Sequence, residues 1–158
     1  MKWKVAILRC YVDAAEIDAD ETTIQVLREM VEEDLVGEVT EVRLVPSETA
    51  EVTATLYEMM DYFQCDLVFT LGGIGIGAND IVPEATKRVI ERSLPGLAES
   101  MRAASIARDP LAMLSRGMAG VKGQALVVNL VDDPRAILDH MQTIMPALHR
   151  ALKLLNEA

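Results

Sequence analysis

No apolar run in these 158 residues approaches the ~18 needed to cross a bilayer, although 51% of them are hydrophobic. The opening segment has only a short apolar stretch before Arg9, too brief for the core of a secretory signal. Cysteine is scarce. Cys10 and Cys65 both sit in strand-like sequence and are expected as buried free thiols, which makes a reduced, cytoplasmic setting the default. Basic residues are also few, 15 Lys and Arg against 25 Asp and Glu, for a net charge of −10. That argues against nucleic acid as a partner, since its phosphates need basic clusters. The acidic group Glu29, Glu32, Glu33 and Asp34 reads as a solvated helix face. An anionic ligand then gets no long-range steering and must be held by local backbone N–H groups, a few arginines and a divalent ion. His140 and His149, nine positions apart on one helical segment, fall on opposite faces and cannot share a metal. No Cys/His cluster, no Gly-x-Ser-x-Gly elbow and no evident nucleophile beside either histidine is present, which argues against zinc sites and triad hydrolysis.

What is present is an alternation of short strand-like runs and longer helical ones over a single domain, residues 1–158. Trp3 to Val12, Val39 to Val45 and Asp66 to Thr70 read as the first three strands. Thr22 to Val36 reads as a helix, with Asp20 near its start, Ile24, Leu27, Met30 or Val31 and Leu35 on one face, and Gly37 as its stop. Glu48 to Phe63, Pro83 to Ser93 and Leu97 to Ala107 are further helical segments, the last two parted by Pro95 and Gly96. Leu111 to Val121 and Gln124 to Leu130 either pair as a hairpin or lie in neighbouring parts of one sheet. Pro134 to Asn156 closes the chain as a helix, with an expected kink at Pro146. The expected fold class is α/β: a three-layer domain with a mostly parallel sheet covered by helices on both faces.

Chemistry concentrates between Asp66 and Thr86. An apolar strand runs into Gly72, Gly73, Gly75 and Gly77, then Asp80, then a helix opened by Pro83. Such a crossing leaves backbone N–H groups near the positive end of a helix dipole, the usual construction of a phosphate site. No Gly-Lys-Ser/Thr follows, so the nucleotide P-loop is excluded. Gly73, Gly75 and Ala78 match the dinucleotide spacing, but that fingerprint belongs on a first strand and here the loop follows the third. Asp80 faces the same pocket. A carboxylate beside phosphates is repulsive unless a divalent ion lies between them, which makes Asp80 the candidate magnesium ligand. The alternative is that Asp80 caps the helix or braces the loop, Val82 being unable to cap. Glu84 needs no role beyond favouring the helix dipole. Arg116 is either a two-point phosphate cation or a surface ion pair.

The pattern Gly72-Gly73-Ile74-Gly75, Asn79-Asp80 and Pro83-Glu84-Ala85-Thr86 resembles the molybdopterin-binding MoaB/Mog family. The resemblance continues through Pro95-Gly96-Leu97 with Glu99 to Arg102, Leu114-Ser115-Arg116, Ala119-Gly120-Val121 and Asn129-Leu130 with Pro134. It runs from about Val5 to Leu155 in the expected order. The resemblance implies a molybdopterin adenylyltransferase that uses ATP and Mg2+ to attach AMP to the molybdopterin phosphate, releasing pyrophosphate. It assigns backbone phosphate contacts to Gly72, Gly73 and Gly75, magnesium and the adenylyl-transfer step to Asp80, and the pterin phosphate to Ser115 and Arg116. It also implies a homotrimer, with no nucleic-acid or membrane partner.

The chain departs from that family pattern at several points. Leu71 and Ile74 replace hydroxyl residues, Asn79 stands where an arginine is usual, and Ser47 replaces an aspartate. Serine still caps a helix well. Asp132 replaces a loop glycine, and Asp133 adds a second charge. Facing a phosphate unscreened, each such pair at 4 Å would cost about 4 kcal/mol at an effective dielectric near 20. A metal lies there, or the pair points to solvent, or the loop no longer takes the family ligand. Two other functions stay open: a non-catalytic pterin- or nucleotide-binding scaffold, and a domain cleaving a nucleotide pyrophosphate.

Overall fold

The computed structural model describes residues 2–15 and 21–157; the expected helix start at Asp20 lies outside them. The strands are β1 (Trp3–Tyr11), β2 (Gly37–Pro46), β3 (Leu67–Leu71), β4 (Arg92–Ser93), β5 (Ala119–Lys122) and β6 (Ala125–Leu130). They form one sheet in the order β2-β1-β3-β6-β5-β4. The first four in that order run parallel, and β5 and β4 complete the sheet antiparallel. The helices are α1 (Thr22–Met30), α2 (Thr49–Tyr57), α3 (Val82–Val89), α4 (Pro95–Ile106) and α5 (Pro134–Asn156). Wider π-type turns, Val31–Leu35 and Glu58–Tyr62, extend α1 and α2.

The three layers follow from strand alternation. Val5, Ile7, Leu67, Phe69, Leu126 and Val128 face one side, against Leu27 of α1, Met101 of α4 and Ile137, Met141 and Leu148 of α5. Ala6, Leu8, Val68 and Val127 face the other, against Val52 and Leu56 of α2 and Ala85 and Val89 of α3. Strands covered on both faces are nearly all apolar, as parallel sheets require. Among the described residues no helix is long and apolar enough to cross a membrane.

Several local expectations are corrected. Gly37 does not stop the first helix: Val36 takes the left-handed conformation, at φ 57°. Gly37 opens β2, where a Cβ would stand 3.0 Å from Val31 Cγ1 and 3.2 Å from the Trp3 carbonyl oxygen. Close backbone approach, not helix termination, dictates that glycine. The segment expected as helix to Ser93 stops at Val89, and Arg92–Ser93 pairs as the edge strand β4. Pro110–Leu114 is a 3-10 turn, so only β5 pairs with β6 as the hairpin, around Gly123 at φ 58°. Ser47 does not cap α2; Glu48 is its N-cap and no side chain closes that end. α5 carries Pro146 inside its span without ending there. Both cysteines are free, Cys10 half-buried in β1 and Cys65 buried just before β3.

Candidate functional site

β2 lies on one side of β1 and β3 on the other, so the direction of the crossovers reverses between β1 and β3. In open α/β sheets that reversal opens a crevice beyond the carboxyl ends of the strands, where ligands bind. The glycine loop leaves β3 at that end. Gly72 and Gly73 have φ of 84° and 69°. The Gly72 N–H donates to the Leu130 carbonyl at 3.0 Å, and the Gly73 carbonyl accepts from Val82 N–H at 3.1 Å. The loop is thereby pinned to β6 and to the start of α3. A Cβ on Gly73 would come within 2.6 Å of Val82 Cγ2. Gly73→Ala is expected to lose about 2–4 kcal/mol, adding a left-handed backbone cost to overpacking. Urea unfolding should show the loss as a lower midpoint at unchanged slope.

Asp80 braces this loop and does not cap α3. Its Oδ2 accepts from the Gly77 N–H at 2.9 Å, and a Cβ at Gly75 would stand 2.8 Å from that oxygen. Arg116 grips the loop from a distant part of the chain. Its Nε donates to the Gly75 carbonyl at 2.7 Å and its Nη2 to the Asp80 carbonyl. Its Nη1 reaches both oxygens of Glu84, at 3.0 and 2.9 Å. That guanidinium holds the Glu84 carboxyl below its ordinary value, chiefly through the hydrogen bond. Glu84 therefore has a partner beyond the helix dipole.

A cavity of about 730 Å³ opens beside the loop. Of the expected site residues, Gly75 and Ser115 line it, whereas Gly72, Gly73, Asp80 and Arg116 do not. Ile74 lines it as well, so the position expected to carry a hydroxyl supplies apolar wall, and Leu71 is wholly buried in the core. Arg102 fixes the Ser115 segment by donating to the Ser115 carbonyl at 3.0 Å and the Gly117 carbonyl at 2.9 Å. Asn129, nearly wholly buried, donates to the hydroxyls of Thr70 and Thr86 at 2.9 and 3.0 Å and accepts from Met118 N–H at 3.1 Å.

The two loop aspartates differ in their surroundings. Asp132 pairs with Arg9 at 2.7 Å, both side chains largely covered. Asp133 caps α5, accepting from the N–H groups of Arg135 and Ala136 at 2.8 and 3.2 Å. Asp133 is solvent-exposed while it caps, whereas Asp132 is largely covered. Burial, with the Asp132 charge second, pushes the Cys10 thiol up to about 12, which leaves it unreactive.

His140 also departs from expectation, because Ser105 Oγ hydrogen-bonds its Nε2 in the cavity wall. No carboxylate among the described residues hydrogen-bonds His140, so no triad is completed. Burial lowers the His140 pKa from its ordinary 6.5, against the opposing charges of Asp139 and Asp133. The unfolded chain then binds a proton that the folded one refuses, so stability falls as pH drops below about 6.5. Thermal unfolding at pH 7.0 and 5.5 should show wild type losing more than His140→Gln over that interval. Sequence reasoning missed Arg102, Ser105, Arg135 and His140 as cavity residues. The signals were the family pattern, which includes Arg102, and the position of Ser105 and His140 on apolar helix faces, where a polar side chain is uncommon.

A mostly parallel six-stranded sheet, a glycine loop at its crossover reversal and an adjoining cavity define a three-layer α/β ligand-binding domain. The chain belongs to the family described as "Probable molybdopterin binding domain", whose model matches residues 13–150. It is 41% identical over 105 residues to the molybdopterin adenylyltransferase of Helicobacter pylori J99, covering 66% of this chain and 60% of that protein. To the molybdopterin adenylyltransferase of Escherichia coli K12 it is 39% identical over 107 residues, 68% of this chain and 55% of that protein. The match thus spans less than two thirds of each relative. The MoaB structure from Thermus thermophilus superposes with a TM-score of 0.89 at 34% identity, covering 99% and 98% of the two chains. The Mog structure from Mycobacterium ulcerans gives 0.87 at 30% identity, covering 100% and 99%.

Proposed function

We propose that this protein acts in molybdenum cofactor biosynthesis as a molybdopterin adenylyltransferase, moving AMP from magnesium-ATP onto the molybdopterin phosphate. One observation carries the reading: Gly75 of the phosphate-type loop and Ser115 line one cavity, of a size suited to a fused-ring ligand. In this proposal an oxygen of the pterin phosphate attacks the α-phosphorus in line, a new P–O–P bond forms, and pyrophosphate leaves. The chain contributes positioning and charge neutralisation. Gly73 and Gly75 offer backbone N–H groups to phosphate oxygens, the Gly72 N–H being taken by the Leu130 carbonyl, and Ser115 offers its hydroxyl to the pterin phosphate. Arg116 serves that phosphate by holding the loop in shape, its own donors being directed into the chain. Arg135 lines the cavity as a further cation.

Magnesium enters on the nucleotide. The described residues include no group of three or more His, Cys, Asp or Glu side chains able to cage an ion. A single carboxylate suits an ion that keeps its waters and arrives on phosphates. Asp80 fits, since one of its oxygens binds Gly77 and the other is available.

The deciding measurement is chromatography of adenylated pterin after incubation with molybdopterin, ATP and magnesium. No product under conditions where the Escherichia coli relative makes it would sink the catalytic reading. A non-catalytic binder is the rival, favoured by the apolar Ile74 wall and the buried Leu71. Calorimetry would identify it by molybdopterin binding without turnover.

A reduced, cytoplasmic setting and a homotrimer complete the proposal. Ile76, Leu111 and Met113, 61–70% exposed, are apolar surface that assembly would cover. Sedimentation equilibrium should give three times the chain mass, and a clean monomer at micromolar concentration would refute the trimer.

A further inference from the structure

Ser105 of α4 and His140 of α5 meet in the cavity wall through the hydrogen bond between Oγ and Nε2. His140 is buried, at 8% exposure. The wall mixes apolar side chains, among them Ala98, Met101, Leu114 and Val131, with charged ones such as Arg108 and Arg135. Several other polar groups of the wall have partners elsewhere: Arg102 in the Ser115 and Gly117 carbonyls, Asn129 in Thr70, Thr86 and Met118, Asp133 at the start of α5. Arg108 is paired with Asp139. The Ser105–His140 pair joins two helices through one hydrogen bond, and its capacity is not exhausted. A serine hydroxyl has one donor and two acceptor positions, and the contact with His140 uses one of them.

Buried polar groups cost free energy unless they are hydrogen-bonded, so an alanine and a leucine would serve packing better. A cavity with apolar sides and a few placed polar groups is the usual construction for a ring ligand. The pair is also adaptable. With His140 Nε2 as acceptor, Ser105 turns lone pairs to a ligand N–H. With Nε2–H as donor, the Ser105 hydroxyl is released to meet a ring carbonyl or nitrogen. A fused heterocycle with amino and carbonyl groups on one edge satisfies either arrangement.

We propose that Ser105 and His140 are the specificity-determining pair that reads the ring edge of the pterin, separately from the loop that takes its phosphate. The inference rests on the cavity being the pterin site of the proposed function. A site built to hydrogen-bond a ligand edge rejects one that leaves its buried polar groups unpaired.

The test uses fluorescence and calorimetric titration of the whole protein with three probes: 6-hydroxymethylpterin, a ring without phosphate; adenosine, a competing ring; and pyrophosphate, without a ring. Ser105→Ala and His140→Phe should each weaken the pterin about tenfold or more and leave pyrophosphate within about twofold. His140→Gln, which keeps an amide near Nε2, should recover part of the loss. Unchanged pterin affinity in Ser105→Ala overturns the proposal, as does an equal loss for pyrophosphate or a loss confined to adenosine. The adenylyl-transfer assay run alongside separates the two claims. Ser105-dependent pterin binding without turnover sinks the catalytic reading alone. Turnover with a wild-type KM in both Ser105→Ala and His140→Phe sinks the pair alone.

Discussion

Asp80→Asn is expected to cut magnesium-dependent adenylyl transfer by about a hundredfold or more, a loss typical of removing one charge-stabilising group. The melting temperature should scarcely move. The Asp80 oxygen that accepts from Gly77 N–H has a counterpart in the asparagine carbonyl, so the brace across the loop survives. What disappears is the negative charge, the property that attracts a divalent ion to the nucleotide phosphates. Asp80→Ala removes brace and charge together and should lower both turnover and stability. Steady-state rates over a magnesium titration, with thermal unfolding of the same samples, separate the two variants. Equal turnover in wild type and Asp80→Asn would reduce Asp80 to a loop brace.

The second large effect acts through the fold, at a buried amide of the cavity wall. Asn129→Ala should destabilise the fold by about 3–5 kcal/mol, since it strips partners from two buried hydroxyls and one N–H group. Those partners sit on β3, α3 and the segment before β5, so one side chain ties the sheet to both walls of the site. Ligand affinity should fall with stability, because Met118 follows directly on Arg116 and Gly117. Denaturant unfolding at fixed pH reads the first effect and titration with molybdopterin reads the second. A loss below about 1 kcal/mol would show that ordered water replaces the amide.

Much of this architecture was legible from consecutive residues. Short apolar runs marked β1 and β3, alternation marked β2, and Ile24, Leu27, Met30 or Val31, and Leu35 at helical spacing marked the buried face of the first helix. The run of glycines before Pro83 located the loop, because only glycine accepts the φ found at Gly72 and Gly73 without strain. Local misreadings had local causes. Val36 accepts a left-handed conformation that β-branched residues ordinarily avoid, and Arg92–Ser93 is too short a strand to leave a periodic signal.

The sequence by itself determined the fold class, the family pattern and the position of the anion loop, because each is written in backbone preference and spacing along a continuous stretch. Which side chains act together was decided only by tertiary structure. Arg9 meets Asp132 across 123 positions, Arg116 reaches Glu84 across 32, and Ser105 reaches His140 across 35. Each partnership depends on the order of strands in the sheet and on how α4 and α5 pack over it. A charge or hydroxyl has no periodicity that announces its partner. The loop aspartates show the consequence most plainly: adjacent in sequence and alike in charge, they are given different work, Asp132 by Arg9 at the end of β1 and Asp133 by the exposed N–H groups of α5.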